Sequence, residues 1–507
     1  MRMTEEKTLV ADAEYTILKC TENTKLSTRV SSEYPDFILL RQCTLALIDL
    51  IQNKFESAGI RRFLLSGTPG IGKTVSIIVL LYLAVKGKLK LTFTHIIADL
   101  KRGCVLLTRN HANGTWAEQM FNREFFRNNA IEEKNGVLVL YLYDASNEKQ
   151  PLILPYCSVV FSSPNLQHFK EFINIDAVLR MIYYMPVWSW DEIEAVYNVS
   201  TALQSRAPLN DVMNLYAKWG GLPRQIFCAY ETGIKALDDS VRSCDAVACI
   251  QVLEKGSFLW YNASDRVNVR SKLMQFEVVD DGQYTNAMVN FGSHYIRDEL
   301  VRETGKSFSV YYRDFMIAHG FSSYAAKVRG NLYEKLVLDR LCNLSSDMDV
   351  LSFVMKNGHV NSPVTIRKIP KGNINAFVFF SLADITDDEC IWIPSQSNFK
   401  SFDVLISTLH PPWWVQITVG ETHSLNAVGV HECLNRISSS TVVFCLPPDI
   451  FSLWHGQKSV QNFVNQSGQK ASIHQYLNDM DQLVVCIPGD AVEAESVNKM
   501  MNQILSN

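Results

Sequence analysis

The chain has 507 residues, 47% of them hydrophobic and 20% charged, with a formal net charge of −4. That length is too great for one hydrophobic core and implies roughly two or three domains. The composition excludes disordered, collagenous and membrane-spanning classes, and the charge excludes a basic field over the whole molecule, so any nucleic-acid contact needs a local patch. No apolar run reaches the length of a transmembrane helix. Residues 1–11 are charged and lack the apolar core of a signal peptide, so the chain reads as intracellular unless a leader precedes it. Twelve cysteines are scattered singly with no C-x-x-C pair, which argues against a disulfide framework and gives a zinc site no ligand spacing.

In chain order, residues 1–45 are mixed and weakly patterned. A helix is predicted over 45–55. Short β runs follow at 63–65, 91–97, 105–107, 137–143 and 158–162, alternating with helical stretches, which predicts a largely parallel sheet covered on both faces. From 191 to about 253 the pattern is helical, interrupted by Gly220-Gly221-Leu222-Pro223. Residues 258–304 are more polar and read as a connector. A second pattern then begins: a helix over 325–341, strands at 376–382, 402–407 and 414–419, a helix at 425–437, a strand at 441–446, a helical stretch, a strand at 483–487 and a helix at 491–504. That is an αβββαβ order with additions.

The strongest local signal is Gly67-Thr68-Pro69-Gly70-Ile71-Gly72-Lys73-Thr74. It satisfies G-x-x-x-x-G-K-[ST], with a strand before it and a helix after it. The glycines turn backbone amides towards a phosphate, and the helix N-terminus adds positive potential. Lys73 is expected to reach the β- and γ-phosphates of ATP, and the Thr74 hydroxyl to bind Mg²⁺. Asp144 ends the apolar run 137–143 and is the expected second Mg²⁺ group; the alternative is a capped surface turn. The next residue is Ala145 where hydrolysing enzymes often carry a second acid, and Glu148 lies nearby without a fixed position. ATP binding is therefore the firmer expectation than fast hydrolysis. Ser162-Ser163-Pro164-Asn165 reads either as a γ-phosphate sensor or as a plain turn, and Arg224 either as a lid residue reaching the nucleotide or as a solvated arginine.

These motifs, followed by Tyr184-Met185-Pro186-Val187-Trp188-Ser189-Trp190-Asp191-Glu192-Ile193 and then Gly220 to Arg224, occur in an order that resembles the ATPase module of Crinkler proteins of oomycetes and some fungi. It is similar also to retrotransposon-hot-spot proteins of trypanosomes. The resemblance covers roughly residues 40–450. It implies an α/β fold: a P-loop (AAA+/STAND-like) NTPase domain with a helical lid, followed by a restriction-endonuclease-like αβββαβ domain. The expected boundaries are 1–45 for an N-terminal segment, 46–190 for the NTPase core, 191–255 for the lid, 256–324 for a connector and 325–507 for the nuclease-like domain. The family's ubiquitin-like N-terminal header is not recognisable in residues 1–45, which leaves export into a host open. Nuclear localisation is implied by the family alone.

A PD-(D/E)xK nuclease needs an acid on its first helix, an Asp on a strand, and an acid or Gln followed by a Lys on the next strand. Its carboxylates hold Mg²⁺, which activates water. Here the candidates are Glu334 on an extensively apolar helix, Asp403, and Gln416 on the following strand. A hairpin would set Asp403 beside Gln416. Thr418 stands where the lysine would be; Lys400 and Arg436 are weak substitutes, and His423 is a candidate base or ligand. The basic clusters Arg61-Arg62, 86–90, Lys101-Arg102 and 368–371 form no convincing nucleic-acid stripe. The expected function is thus a Crinkler-like, effector-type ATPase coupled to a DNA-directed nuclease-like domain, with ATP and Mg²⁺ as cofactors, DNA as a candidate partner and no membrane partner. The alternative is a STAND-type nucleotide-gated regulator whose nuclease-like domain is inactive.

Overall fold

A computed structural model describes residues 3–505 except 11–12, 21–36, 102, 111, 130, 134–135, 146–149, 165–167, 175–178, 229–232, 245–248, 250–272, 280–281, 305–322, 345, 357–358, 372–374, 387–388, 396–401, 421–424, 457–462, 465–479 and 489–490. The fold is mixed α/β with several sheets. The chain divides into two compact units, Met1–Ile296 and Arg297–Asn507, so the division falls inside the stretch read as a connector.

The first unit opens with β1 (Met3–Val10) and β2 (Ala13–Cys20), an antiparallel hairpin that β3 (Phe37–Leu39) joins on the β2 side. This sheet was illegible in the sequence because β1, Met-Thr-Glu-Glu-Lys-Thr-Leu-Val, shows no apolar alternation. Its apolar side is supplied later, by Ile17, Phe37 and Leu39, which pack on Val196. Helix α1 (Gln42–Ala58) buries Leu47, Ile48 and Ile51 on one face and stops at Gly59, whose φ of 64° suits glycine.

Then come β4 (Arg62–Ser66), α2 (Lys73–Val85), β5 (His95–Leu100), β6 (Gly103–Arg109), β7 (Trp116–Phe121), α3 (Arg123–Asn128), β8 (Val139–Asp144), β9 (Cys157–Ser162), α4 (Lys170–Asn174) and β10 (Arg180–Tyr184). The strands form one seven-stranded sheet in the order β10-β4-β9-β8-β5-β6-β7. From β10 to β5 all neighbours are parallel, and β6 and β7 extend the sheet antiparallel. Every residue of β8 and β9 is buried, which is why each reads as an unbroken apolar run rather than an alternating one. The run expected at 91–97 is shifted to β5, and β7 and β10 were not foreseen. In β7 the four central residues are exposed, so no core periodicity marks it.

The helical stretch resolves into α5 (Trp190–Val199), α6 (Thr201–Arg206), α7 (Leu209–Trp219), a π-helical turn (Arg224–Cys228) and α8 (Gly233–Arg242). Helix α5 starts with a capping box in which Ser189 and Glu192 satisfy each other's backbone amides. The hairpin of β11 (Met274–Val278) and β12 (Ala287–Phe291) leads into α9 (His294–Thr304), so the connector has structure of its own.

The second unit begins with α10 (Ser323–Cys342). Its strands are β13 (Met348–Lys356), β14 (His359–Val360), β15 (Thr365–Ile369), β16 (Ala376–Phe379), β17 (Ile391–Pro394), β18 (Val404–Ile406), β19 (Trp413–Ile417), β20 (Leu425–Asn426), β21 (Thr441–Leu446), β22 (Phe463–Val464) and β23 (Gln482–Cys486). Helix α11 (Ala427–Arg436) joins β20 to β21, α12 (Pro448–Gly456) follows β21, and α13 (Ala491–Leu505) closes the chain. The main sheet runs β14-β13-β23-β21-β19-β18-β17-β16, with β15 also on β13. Within it β17, β18, β19, β21 and β23 lie side by side in chain order, and only β18 is reversed. The strand expected at 376–382 is β16, at the sheet edge and parallel to β17. On its other side from β19, β18 pairs antiparallel with β17, a four-residue strand too short to announce itself. Apolar clusters cover both faces of this sheet, one centred on Trp414, Phe444 and Trp454, the other on Tyr333, Val337 and Val443.

Candidate functional site

The loop between β4 and α2 is shaped by its glycines. A Cβ on Gly67 would stand 2.7 Å from the Ile71 side chain and 2.8 Å from the Met185 carbonyl, so the position has no room for one. Gly70 and Gly72 adopt φ of 93° and 95°, in the left-handed region. Gly72 caps α2 without a side-chain bond, which leaves the first amides of the helix for the loop's concavity. Lys73, only 8% exposed, folds back so that Nζ donates to the carbonyls of Gly67 and Thr68, both at 2.8 Å. Burial, and secondarily the charge of Arg224, push its ammonium down to about 7, against the opposing pull of Asp144.

A cleft of about 510 Å³ opens over this loop, within the range of small-molecule sites. Pro69 to Thr74, Asp144, Ser163, Arg206 and Arg224 are among the residues that line it. Its apolar lining includes Phe37 and Leu39 of β3 with Val196, Leu203 and Phe227 of the helical segment. Asp144 is buried at the end of β8, and Thr74 is at the start of α2. Gly67 and Thr68 lie behind the loop: the Thr68 hydroxyl accepts the Phe276 amide of β11 at 2.9 Å and does not line the cleft. Ser162 is equally turned away, donating to the Ser163 carbonyl at 2.8 Å, which leaves Ser163 as the cleft-lining member of that pair. Arg224 reaches the loop, its Cβ 3.4 Å from where a Cβ on Gly70 would be.

Two supports of the loop were missed from the sequence. Trp188 Nε1 donates to the Ile71 carbonyl at 2.8 Å, gripping the loop from outside. Arg41 lies under that indole, 5.2 Å from its ring centre. Its guanidinium donates to both oxygens of Glu192, at 2.9 and 2.8 Å, and to the carbonyls of Pro186 and Val187. The Arg41–Glu192 pair spans 151 residues, and no local pattern announces such a pairing.

In the second unit, the hairpin places Gln416 beside Asp403 as expected. Asp403 Oδ2 accepts the Gln416 side-chain amide and the Ile417 backbone amide, both at 2.6 Å. Burial, then the negative charge of Glu334, raise the Asp403 carboxyl well above its usual range, opposed by those hydrogen bonds and by Arg297. Glu334, 8% exposed on α10, accepts Arg297 at 3.0 Å. Thr418 is buried and its hydroxyl accepts the Gly420 amide at 3.2 Å. Arg436 binds the carbonyls of Leu382 and Ile385 on another part of the unit. His423, with Glu148, Asn165 and Lys400, lies outside the described residues. Among the described residues, the cation bonded to Glu334 is Arg297, from the stretch read as a connector.

The two acidic groups differ in their fit to Mg²⁺. Asp144 and Thr74 offer one carboxylate and one hydroxyl beside the glycine-rich loop, oxygen donors of the kind Mg²⁺ takes. Glu334 and Asp403 are already engaged by a guanidinium and by two N–H groups. Among the described residues, no group of three or more His, Cys, Asp or Glu is placed to hold a metal ion, and no helix is long and apolar enough to cross a membrane.

No family model matches the chain. Among curated proteins it is similar to Crinkler effector protein 15 of Phytophthora infestans, 22% identical over 401 residues, which cover 77% of this chain and 59% of that protein. The chain thus spans less than two thirds of the length of this relative, and the likeness supports a distant Crinkler-like relationship.

Proposed function

We propose that the chain is a Crinkler-like effector protein whose first unit binds ATP with Mg²⁺ and hydrolyses it slowly. The observation that carries this reading is the cleft in which the glycine-rich loop, buried Lys73, Thr74, Asp144 and Arg224 face one space. The sheet supports it: the loop follows an inner parallel strand, Asp144 ends β8 and Ser163 follows β9, at the carboxyl ends of strands where α/β sheets bind ligands. The triphosphate would sit in the loop, with Lys73 and Arg224 against its negative charge, and the base between β3 and the helical segment. Thr74 and Asp144 would hold Mg²⁺, which when bound neutralises the β- and γ-phosphate oxygens. Ala145 follows Asp144 and supplies no second carboxylate to orient water, which favours slow turnover.

The second unit, with five strands in chain order and one reversed, is read as nuclease-like and directed at DNA. Thr418 in place of a lysine favours the alternative within this reading, a STAND-type regulator in which ATP gates a unit that does not cut. Action inside a host cell, and in its nucleus, follows from the Crinkler likeness as part of the same proposal. The test is calorimetric ATP binding with phosphate release for wild type, Lys73→Ala and Asp144→Asn. Lys73→Ala is expected to abolish binding, and Asp144→Asn to retain binding while losing Mg²⁺-dependent turnover. Unchanged affinity in Lys73→Ala would remove the nucleotide reading.

A further inference from the structure

The acidic cluster of the second unit carries a cation of its own. Arg297 is 3% exposed, and its Nη1 donates to Glu334 Oε1 at 3.0 Å. Its Nε donates to Asp298 at 2.9 Å, and Asp298 in turn pairs with Lys335 at 3.2 Å. Asp403 lies within electrostatic reach of Glu334 and Arg297 and spends one oxygen, Oδ2, on two N–H donors, from Gln416 and Ile417. A buried carboxylate needs a counter-charge, and here a guanidinium supplies it to Glu334. A divalent cation bridging Glu334 and Asp403 would need oxygen ligands turned towards it on both sides. It would also stand against the guanidinium, cation facing cation. The residues present do not fit a bound metal.

We infer that Arg297 is an internal cation that takes the place of a divalent metal between Glu334 and Asp403, so that the second unit works as a metal-independent binding module and the carboxylates become a metal site only when Arg297 is removed. This rests on the nuclease-like reading of the second unit. Arg297 comes from α9, before the first helix of that domain as the sequence defines it, so a motif search confined to residues 325–507 passes over it. Two carboxylates, a glutamine and a missing lysine look like a damaged nuclease. With Arg297 included, Glu334 has a counter-charge and Asp403 has two N–H donors within the cluster.

The test is Mn²⁺ titration of the full chain without nucleotide, followed by electron paramagnetic resonance and calorimetry. Binding that disappears with Asp403→Asn is assigned to the cluster. Wild type is expected to show no such binding, and Arg297→Met to gain about one Mn²⁺ equivalent that Arg297→Met/Asp403→Asn loses. Because Arg297→Met leaves a buried negative charge, Arg297→Met/Glu334→Gln is measured beside it. This double variant is expected to melt at a higher temperature than Arg297→Met and to bind no Mn²⁺ at the cluster. Wild-type Mn²⁺ binding that Asp403→Asn abolishes would overturn the inference while leaving the nuclease-like reading in place. Absence of binding in both wild type and Arg297→Met would overturn the inference and the nuclease-like reading of the cluster together. A double variant that melts no higher than Arg297→Met would show that Arg297 is not there to neutralise Glu334, and would also overturn it.

Discussion

Nucleotide affinity should fall as pH rises through the range in which Lys73 loses its proton. In the free protein burial holds this ammonium at about 7, assisted by Arg224 and opposed by Asp144. A bound triphosphate brings negative charge to Nζ and returns the group towards its ordinary range. Binding then requires proton uptake wherever free Lys73 is neutral and bound Lys73 is charged. With a free value near 7, the protonated fraction drops from ~0.24 at about pH 7.5 to ~0.01 at about pH 9, an affinity loss of roughly 20-fold, or ~1.8 kcal/mol. Calorimetry in two buffers of different ionisation enthalpy reads both the affinity and the proton taken up, which should approach one per nucleotide near the upper end. Lys73→Arg, whose guanidinium does not titrate there, is the control and should show a flat profile. The nucleotide-free protein has the opposite slope: its Lys73 binds fewer protons folded than unfolded between about 7 and the ordinary lysine value of 10.5, so this group's contribution to stability rises with pH across that window. Constant wild-type affinity over the same range, with no proton uptake, would refute the placement of Lys73 as a desolvated cation.

Two further perturbations test the supports of the loop. Arg41→Met should lower the stability of the full chain to urea by up to ~3 kcal/mol, because it leaves the partly buried Glu192 carboxylate without its cation and the Pro186 and Val187 carbonyls without their donor, and adding Glu192→Gln should recover part of the loss; an unchanged unfolding midpoint would contradict the pairing. Gly221→Ala would place a Cβ 2.0 Å from the Trp188 carbonyl oxygen and 2.6 Å from its amide nitrogen. The Trp188 backbone must move, its indole should release the Ile71 carbonyl, and calorimetry should read a nucleotide affinity about tenfold weaker, the equivalent of one lost hydrogen bond; wild-type affinity would show that the indole's grip on the loop does not matter.

Legibility followed how local the physics is. The loop 67–74, α2, β4 and β9 were readable because glycine freedom, a buried apolar helix and fully covered strands each leave their mark within about ten residues. The same holds for α11 and β21 in the second unit. Strand β17 was passed over for β16 because Ile391–Pro394 is short and its identity as the partner of β18 is a matter of sheet neighbours, not composition. The hairpin of β1 and β2 carries its charges outward and buries Ile17 against elements more than 150 residues away, so its strands look like polar chain when read alone.

The sequence by itself determined an α/β chain of more than one domain, a phosphate-loop motif with its following helix, and the pairing of Asp403 with Gln416. All of these depend on residues close in the chain or facing across one hairpin. Only the tertiary structure decided which polar groups face the cleft and which are spent elsewhere: Thr68 on β11, Ser162 on its neighbour, Arg41 on Glu192. It also decided that the cation beside Glu334 is Arg297, 37 residues upstream. The physical reason is that a buried charge is stable only beside a partner, and the partner is whatever side chain the packed fold brings within a few ångströms, wherever it lies in the chain.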